Sequence, residues 1–171
     1  ENELRKRISR VQSEDGKAYL VTAGLRDRKM PIQLRLVIAQ AAADERNIPQ
    51  LLKSLKRSRN CTDTCLFLDG LGCAGEASRA ATDDIIKLLE NSDAAVRARA
   101  AWALSKIATP ECIEPMIESL ERENGATRRQ IAGSLEVLTG KNLGTNAAGW
   151  RAWWTAESAS YLAGDHELGK G

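Results

Sequence analysis

The residues able to do covalent or metal chemistry are few and poorly spaced for it. Cys61, Cys65, Cys73 and Cys112 include no Cys-x-x-Cys pair, and the single histidine, His166, stands far off in a polar C-terminal stretch. Thiolate and imidazole metal sites need closer, paired spacing. A nucleophilic serine or cysteine needs a base beside it, so one distant histidine argues against a His-based triad. Gly70, Gly72 and Gly75 lack the strand, the lysine and the spacing of a phosphate-binding loop. Asp83 and Asp84 are adjacent at a helix start, where the helix dipole accounts for them. The reading is therefore a protein that is not an enzyme and carries no cofactor or metal. Cys61, Cys65 and Cys73 fall roughly along one helical stripe and are expected in the core, since small thiols are among the most buried side chains.

The elements that would position any site are helices. At 171 residues the chain can bury one sizeable core, and 43% hydrophobic with 28% charged residues is an ordinary globular composition. Its 25 basic and 23 acidic side chains leave a formal charge of +2, too balanced to commit the whole surface to nucleic acid or to an anionic membrane. No run approaches the length of apolar sequence that a membrane helix needs, so no membrane insertion is expected. The chain is expected to be soluble. Its compartment stays open between the cytoplasm and, if an N-terminal leader has been removed, the periplasm. No run combines period-two alternation with β-branched and aromatic enrichment, and aromatics are only 4% of residues, so strands are not expected.

Residues 93 to 107 give the clearest helix. Asp93 sits at the N-cap, and Val96, Ala100, Trp102 or Ala103, Leu104 and Ile107 recur at helical spacing. Diluted copies flank it, with Leu34-Arg35, Ile38, Ala39 and Ala42 before it and Thr127-Arg128, Ile131, Ala132 and Leu135 after it. The stretch 61 to 75 is a divergent copy whose three glycines predict the softest helix, since each costs about 1 kcal/mol relative to alanine. A second pattern follows the first: Leu51-Leu52-x-x-Leu55, Ile85-Ile86-x-x-Leu89 and Met116-Ile117-x-x-Leu120, spaced 34 and 31 residues apart. Such periods belong to arrays of helical hairpins, which share one core only when stacked. The expected fold is an all-α, right-handed α-solenoid.

The motif Asp93-x-x-Val96-Arg97-x-x-Ala100-Ala101-x-Ala103-Leu104 resembles the first helix of HEAT repeats, in the short bacterial HEAT-like class also found in phycobilin lyases. The resemblance covers roughly residues 31 to 140. Arg128 takes the Arg97 slot in the fourth copy and Thr64 takes it in the second. Recurrent Asp and Arg residues tie neighbouring repeats together in that family, which implies structural roles for Asp93, Arg97 and Arg128. The ending Leu138-Thr139-Gly140…Gly144…Trp150-x-x-Trp153-Trp154 is similar to the close of HEAT-like domains in many bacterial proteins, planctomycete families among them. Here Gly140 is placed to end a helix and Asn146 to cap the next.

One domain is expected over residues 1–156. It comprises an N-terminal helical pair over 1–30, bearing the basic cluster Arg5, Lys6, Arg7 and Arg10, then repeats over 31–140, a cap helix over 141–156 and a flexible tail over 157–171.

Function is then sought on the surface. The resemblance implies that second helices line the concave face, where Lys53, Arg57, Lys87, Glu118 and Arg122 are the candidate contacts for a protein partner of unknown identity. Lys53, Lys56, Arg57 and Arg59 crowd one end, and Glu111, Glu114, Glu118, Glu121 and Glu123 the other. That polarity suits a protein ligand better than a uniform phosphate backbone, so nucleic acid is not favoured. Trp150 and Trp154 are weaker contact candidates, because tryptophans at this spacing can equally seal the end of the core. The expected function is a non-catalytic interaction or scaffold module. The alternatives are a phycobilin-lyase-like enzyme subunit and a nucleic-acid-binding role of the kind that HEAT-like DNA glycosylases have.

Overall fold

The computed structural model describes residues 16, 23–25, 27, 29–41, 43–166 and 168. Helices alternate in two layers, and local sequence fixes their ends. α1 (Ile32–Ala41) starts behind Pro31, whose carbonyl accepts from the Leu34 and Arg35 amides at 3.0 and 3.1 Å. α2 (Ile48–Arg57) carries Pro49 in its first turn, where a missing N–H is harmless. α3 (Cys61–Ala74) is capped by Asn60, whose side-chain oxygen accepts from the Asp63 amide at 2.8 Å. α4 (Thr82–Ile86) is a short helix between 3-10 segments at Gly75–Ala81 and Lys87–Glu90. α5 (Ala94–Ile107) begins at Asp93, whose carboxylate accepts from the Ala95 amide at 2.8 Å. α6 (Ile113–Arg122), α7 (Gly125–Thr139) and α8 (Ala147–Leu162) complete the order. Gly140 ends α7 at φ 70°, and Asn146 caps α8 by accepting from the Gly149 amide at 3.0 Å.

The long helices α1, α3, α5 and α7 pack in sequence to form one layer. In the second layer α6 packs against both the segment Lys87–Glu90 and α8. Apolar stripes from both layers meet in one cluster. Leu51, Leu55, Ile85, Leu89, Met116, Ile117 and Leu120 come from the second layer, facing Ile38, Phe67, Leu68, Ala100, Leu104, Ile131 and Leu135 from the first. No strand occurs among the described residues, and the architecture is an all-α helical repeat solenoid.

The divergent copy differs from its sequence reading in an instructive way. α3 packs against α1, α2 and α5, so nearly every position from Asp63 to Gly72 is buried. Its glycines permit that closeness. A Cβ on Gly72 would stand 2.5 Å from Trp102 Cζ3 and 3.1 Å from Ala103 Cα, and one on Gly70 would stand 3.2 Å from the Ala39 carbonyl oxygen. The cysteines occupy what edge remains. Cys61 and Cys73 are exposed and Cys65 half-buried, which corrects their expected core placement, whereas Cys112 is buried.

Two further expectations concern the ends. The last helix, expected to stop at Ala156, runs on to Leu162 because Tyr161 gives it a late apolar anchor, 4% exposed, against the Trp153 ring. The helical pair expected over residues 1–30, with Arg5, Lys6, Arg7 and Arg10, lies for most of its length outside the described residues, as does Ala42. Leu25, one of the few described residues of that segment, is fully buried.

Candidate interaction surface

Arginines near the starts of the first-layer helices face the junctions between repeats. Arg35 of α1, 4% exposed, donates through Nε to the Leu25 carbonyl at 2.8 Å and pairs with Asp63 of α3. Arg97 of α5 donates through Nη1 to the Asn91 and Ser92 carbonyls at 2.7 and 3.0 Å and pairs with Glu123 ahead of α7. Arg128 of α7 donates to the Glu123 carbonyl at 3.2 Å and, through Nε and Nη2, to the Thr145 carbonyl at 3.1 and 2.9 Å. Each guanidinium reaches back to the chain ahead of its own helix and forward into the next repeat, a task suited to five donors on a planar fork. In the second copy the Thr64 hydroxyl bonds only to Ser58 Oγ and the Asn60 carbonyl, both at 2.9 Å. There the forward link moves to Asp69, which meets Arg99 of α5 at 3.0 Å.

The charges on these links respond to their surroundings. The hydrogen bond from Arg97 to Glu123 raises the Arg97 pKa. The Ala95 amide lowers that of Asp93. Burial raises the Asp69 carboxyl, against the opposing pull of Arg99.

Three second-layer segments carry the candidate contacts. Lys53 and Arg57 on α2, Lys87 just past α4, and Glu118 and Arg122 on α6 are all exposed. Two bonds tie these segments together, Lys56 Nζ to Asp84 at 2.9 Å and Ser119 Oγ donating to the Leu89 carbonyl at 3.5 Å. Lys53 lies one turn before Lys56 and Lys87 one turn after Asp84, so the two lysines flank that ion pair. None of the five candidates makes an ion pair with another described residue.

The acidic end is less acidic than the sequence suggests. Arg151 of α8 meets Glu121 at 3.0 Å and Glu114 at 3.3 Å, and Arg97 takes Glu123. Hydrogen bonding to Arg151 also lowers the Glu121 pKa. Arg151 stands 30 residues from Glu121 inside a tryptophan-rich segment, so only the packing of α8 on α6 reveals the pairing. The unpaired charge left on this face is weighted towards Lys53, Arg57, Arg59 and Lys87.

Trp150 and Trp154 are 0% and 5% exposed. The Trp150 indole N–H donates to the Gly144 carbonyl at 2.8 Å, and its ring meets Trp153 edge-on at 5.6 Å. These two tryptophans are packed into the core and present no exposed aromatic patch, because α8 lies against α6 with its apolar side turned inward.

Stacked antiparallel hairpins with arginines bridging their junctions define a helical repeat scaffold. The HEAT repeats family pattern matches residues 48–136, just over half of the 171-residue chain. The chain belongs to the HEAT repeat family, whose members commonly serve as protein-interaction scaffolds and are generally non-enzymatic. No curated protein gives a match. No helix among the described residues is long and apolar enough to cross a membrane.

Proposed function

We propose that the chain is a non-catalytic scaffold that binds a partner protein across its second-layer face. Lys53, Arg57, Lys87, Glu118 and Arg122 make the contacts, and α8 caps the array with Trp150 and Trp154 sealed inside. One observation carries this reading. Five exposed charged side chains that form no ion pair with another described residue stand on three consecutive segments that Lys56–Asp84 and Ser119–Leu89 hold in register. Charges left unneutralised on an ordered surface retain their capacity to steer and select a complementary partner. The partner face is weighted towards carboxylates opposite Lys53, Arg57 and Lys87.

The test is a crosslinked pull-down from the source organism, comparing the wild-type chain with a Lys53→Glu, Lys87→Glu double variant of equal thermal stability. A protein recovered by the first and lost by the second supports the reading. Identical recoveries overturn it.

A further inference from the structure

A second surface, on the first layer, has the makings of a binding groove. α5 and α7 leave between them an open groove of about 400 Å³. Ala95 and Ala98 of α5 and Gly133 of α7 line it, with Trp102, Arg99 and Lys106 of α5 alongside. Gly133 has no structural reason to be glycine. It sits inside a helix, its φ is ordinary, and a Cβ there would meet no described atom within 4 Å beyond its own stretch of helix backbone. Glycine inside a helix sacrifices stability relative to alanine, and close approach of another molecule to the backbone is one use that repays it.

The chemistry of the groove narrows what could lie there. The hydroxyls of Ser105 and Ser134 donate to the Trp102 and Gln130 carbonyls of their own helices, at 2.8 and 3.0 Å, so the lining is less polar than its residue types suggest. Lys106 supplies positive charge that no ion pair among the described residues takes up, Arg99 adds a guanidinium already paired with Asp69, and no carboxylate among the described residues lines the groove. Asp69, which pairs with Arg99 at 3.0 Å, is 6% exposed. Trp102 cannot serve as a stacking platform for a nucleic-acid base. One face lies under the Arg99 guanidinium, 5.4 Å from the ring centroid, and its six-membered ring is wedged against Gly72.

We propose that the α5–α7 groove binds an acidic peptide segment, seating one apolar side chain over Gly133 beside Trp102 and directing carboxylates to Lys106 and Arg99. Helix and strand segments commonly dock into grooves of this kind through a few apolar anchors, with charge setting their selectivity. The site is separate from the second-layer face and does not depend on it.

The experiment is selection of a phage-displayed random peptide library on the wild-type chain, followed by fluorescence-polarisation titration of the enriched peptides. The expected peptides carry Asp or Glu beside an apolar residue. Their affinity falls about tenfold or more with Gly133→Leu, which fills the groove, and likewise with Lys106→Glu. It stays unchanged in the Lys53→Glu, Lys87→Glu variant. Thermal melting of each variant at or above that of the wild type keeps the comparison fair. No enrichment, enrichment of basic or uncharged peptides, or binding indifferent to Gly133→Leu and Lys106→Glu overturns the proposal. So does a single-stranded oligonucleotide that binds with the same sensitivity to those two substitutions. Peptides lost only in the Lys53, Lys87 variant overturn it too, while supporting the second-layer face.

Discussion

Arg97 of α5 pairs with Glu123 ahead of α7 while its other donors hold the carbonyls of Asn91 and Ser92, so one guanidinium spans the junction between two repeats. Thr64, in the same slot of the preceding copy, bonds only within its own loop. Arg97→Ala is therefore expected to cost about 1–3 kcal/mol, because it leaves half-buried partners unsatisfied. Thr64→Ala should cost about 1 kcal/mol or less. Urea denaturation of both variants measures the difference, and equal losses would mean that Arg97 acts only as a local cap.

Two glycines should respond oppositely to the same substitution. Gly72→Ala forces a Cβ against Trp102 and the Ala103 backbone, so it should destabilise by about 1–3 kcal/mol through overpacking. Gly133→Ala meets open space inside a helix and should stabilise by about 0.5–1 kcal/mol. Thermal melts of the pair check both signs together. A stabilising Gly72→Ala would show that α3 and α5 do not approach so closely.

The thiols predict a loss of stability in alkali. Burial pushes Cys112 up to about 12 and Cys65 up to about 11, from an ordinary 9.0. With folded values raised, the unfolded chain ionises first. The contribution is fully present below about pH 9 and is lost as pH rises through about 11 and then about 12. Cys112→Ser should lose less stability than wild type between pH 9 and pH 11, as read from denaturation midpoints. Alkylation followed by mass spectrometry should label exposed Cys61 and Cys73 before Cys65 and Cys112. Early labelling of Cys112 would contradict its burial.

Trp150 is completely buried and also satisfies the Gly144 carbonyl. Trp150→Ala should cost about 3–5 kcal/mol, the usual range for a large aromatic deleted from a core. A change below about 0.5 kcal/mol would place α8 outside the cooperative unit.

Much of this fold is legible in the sequence because helical periodicity is a local signal. Leu51, Ile85 and Met116 each announce a buried stripe without knowledge of their neighbours, and Asp93, Gly140 and Asn146 mark helix ends by side-chain type alone. The surface is less legible because it depends on which helices become neighbours. Cys61 and Cys73 are exposed because three helices already cover the rest of α3. Arg151 neutralises glutamates far from it in sequence, and the α5–α7 groove exists only once those helices lie side by side. Gly72 and Gly133 look alike in the sequence, yet one is pressed against Trp102 and the other faces open space. Trp150 and Trp154 fit both a sealed core and an exposed patch at the same helical spacing, and only the position of α8 decides between them.

The second-layer face is tested most directly by titrating the partner recovered in the pull-down against wild type and the Lys53→Glu, Lys87→Glu variant in a calorimeter. The account predicts binding weakened about tenfold or more in the variant, and more so at low salt, where exposed charges act over longer range. Equal affinities for two equally stable proteins would contradict it.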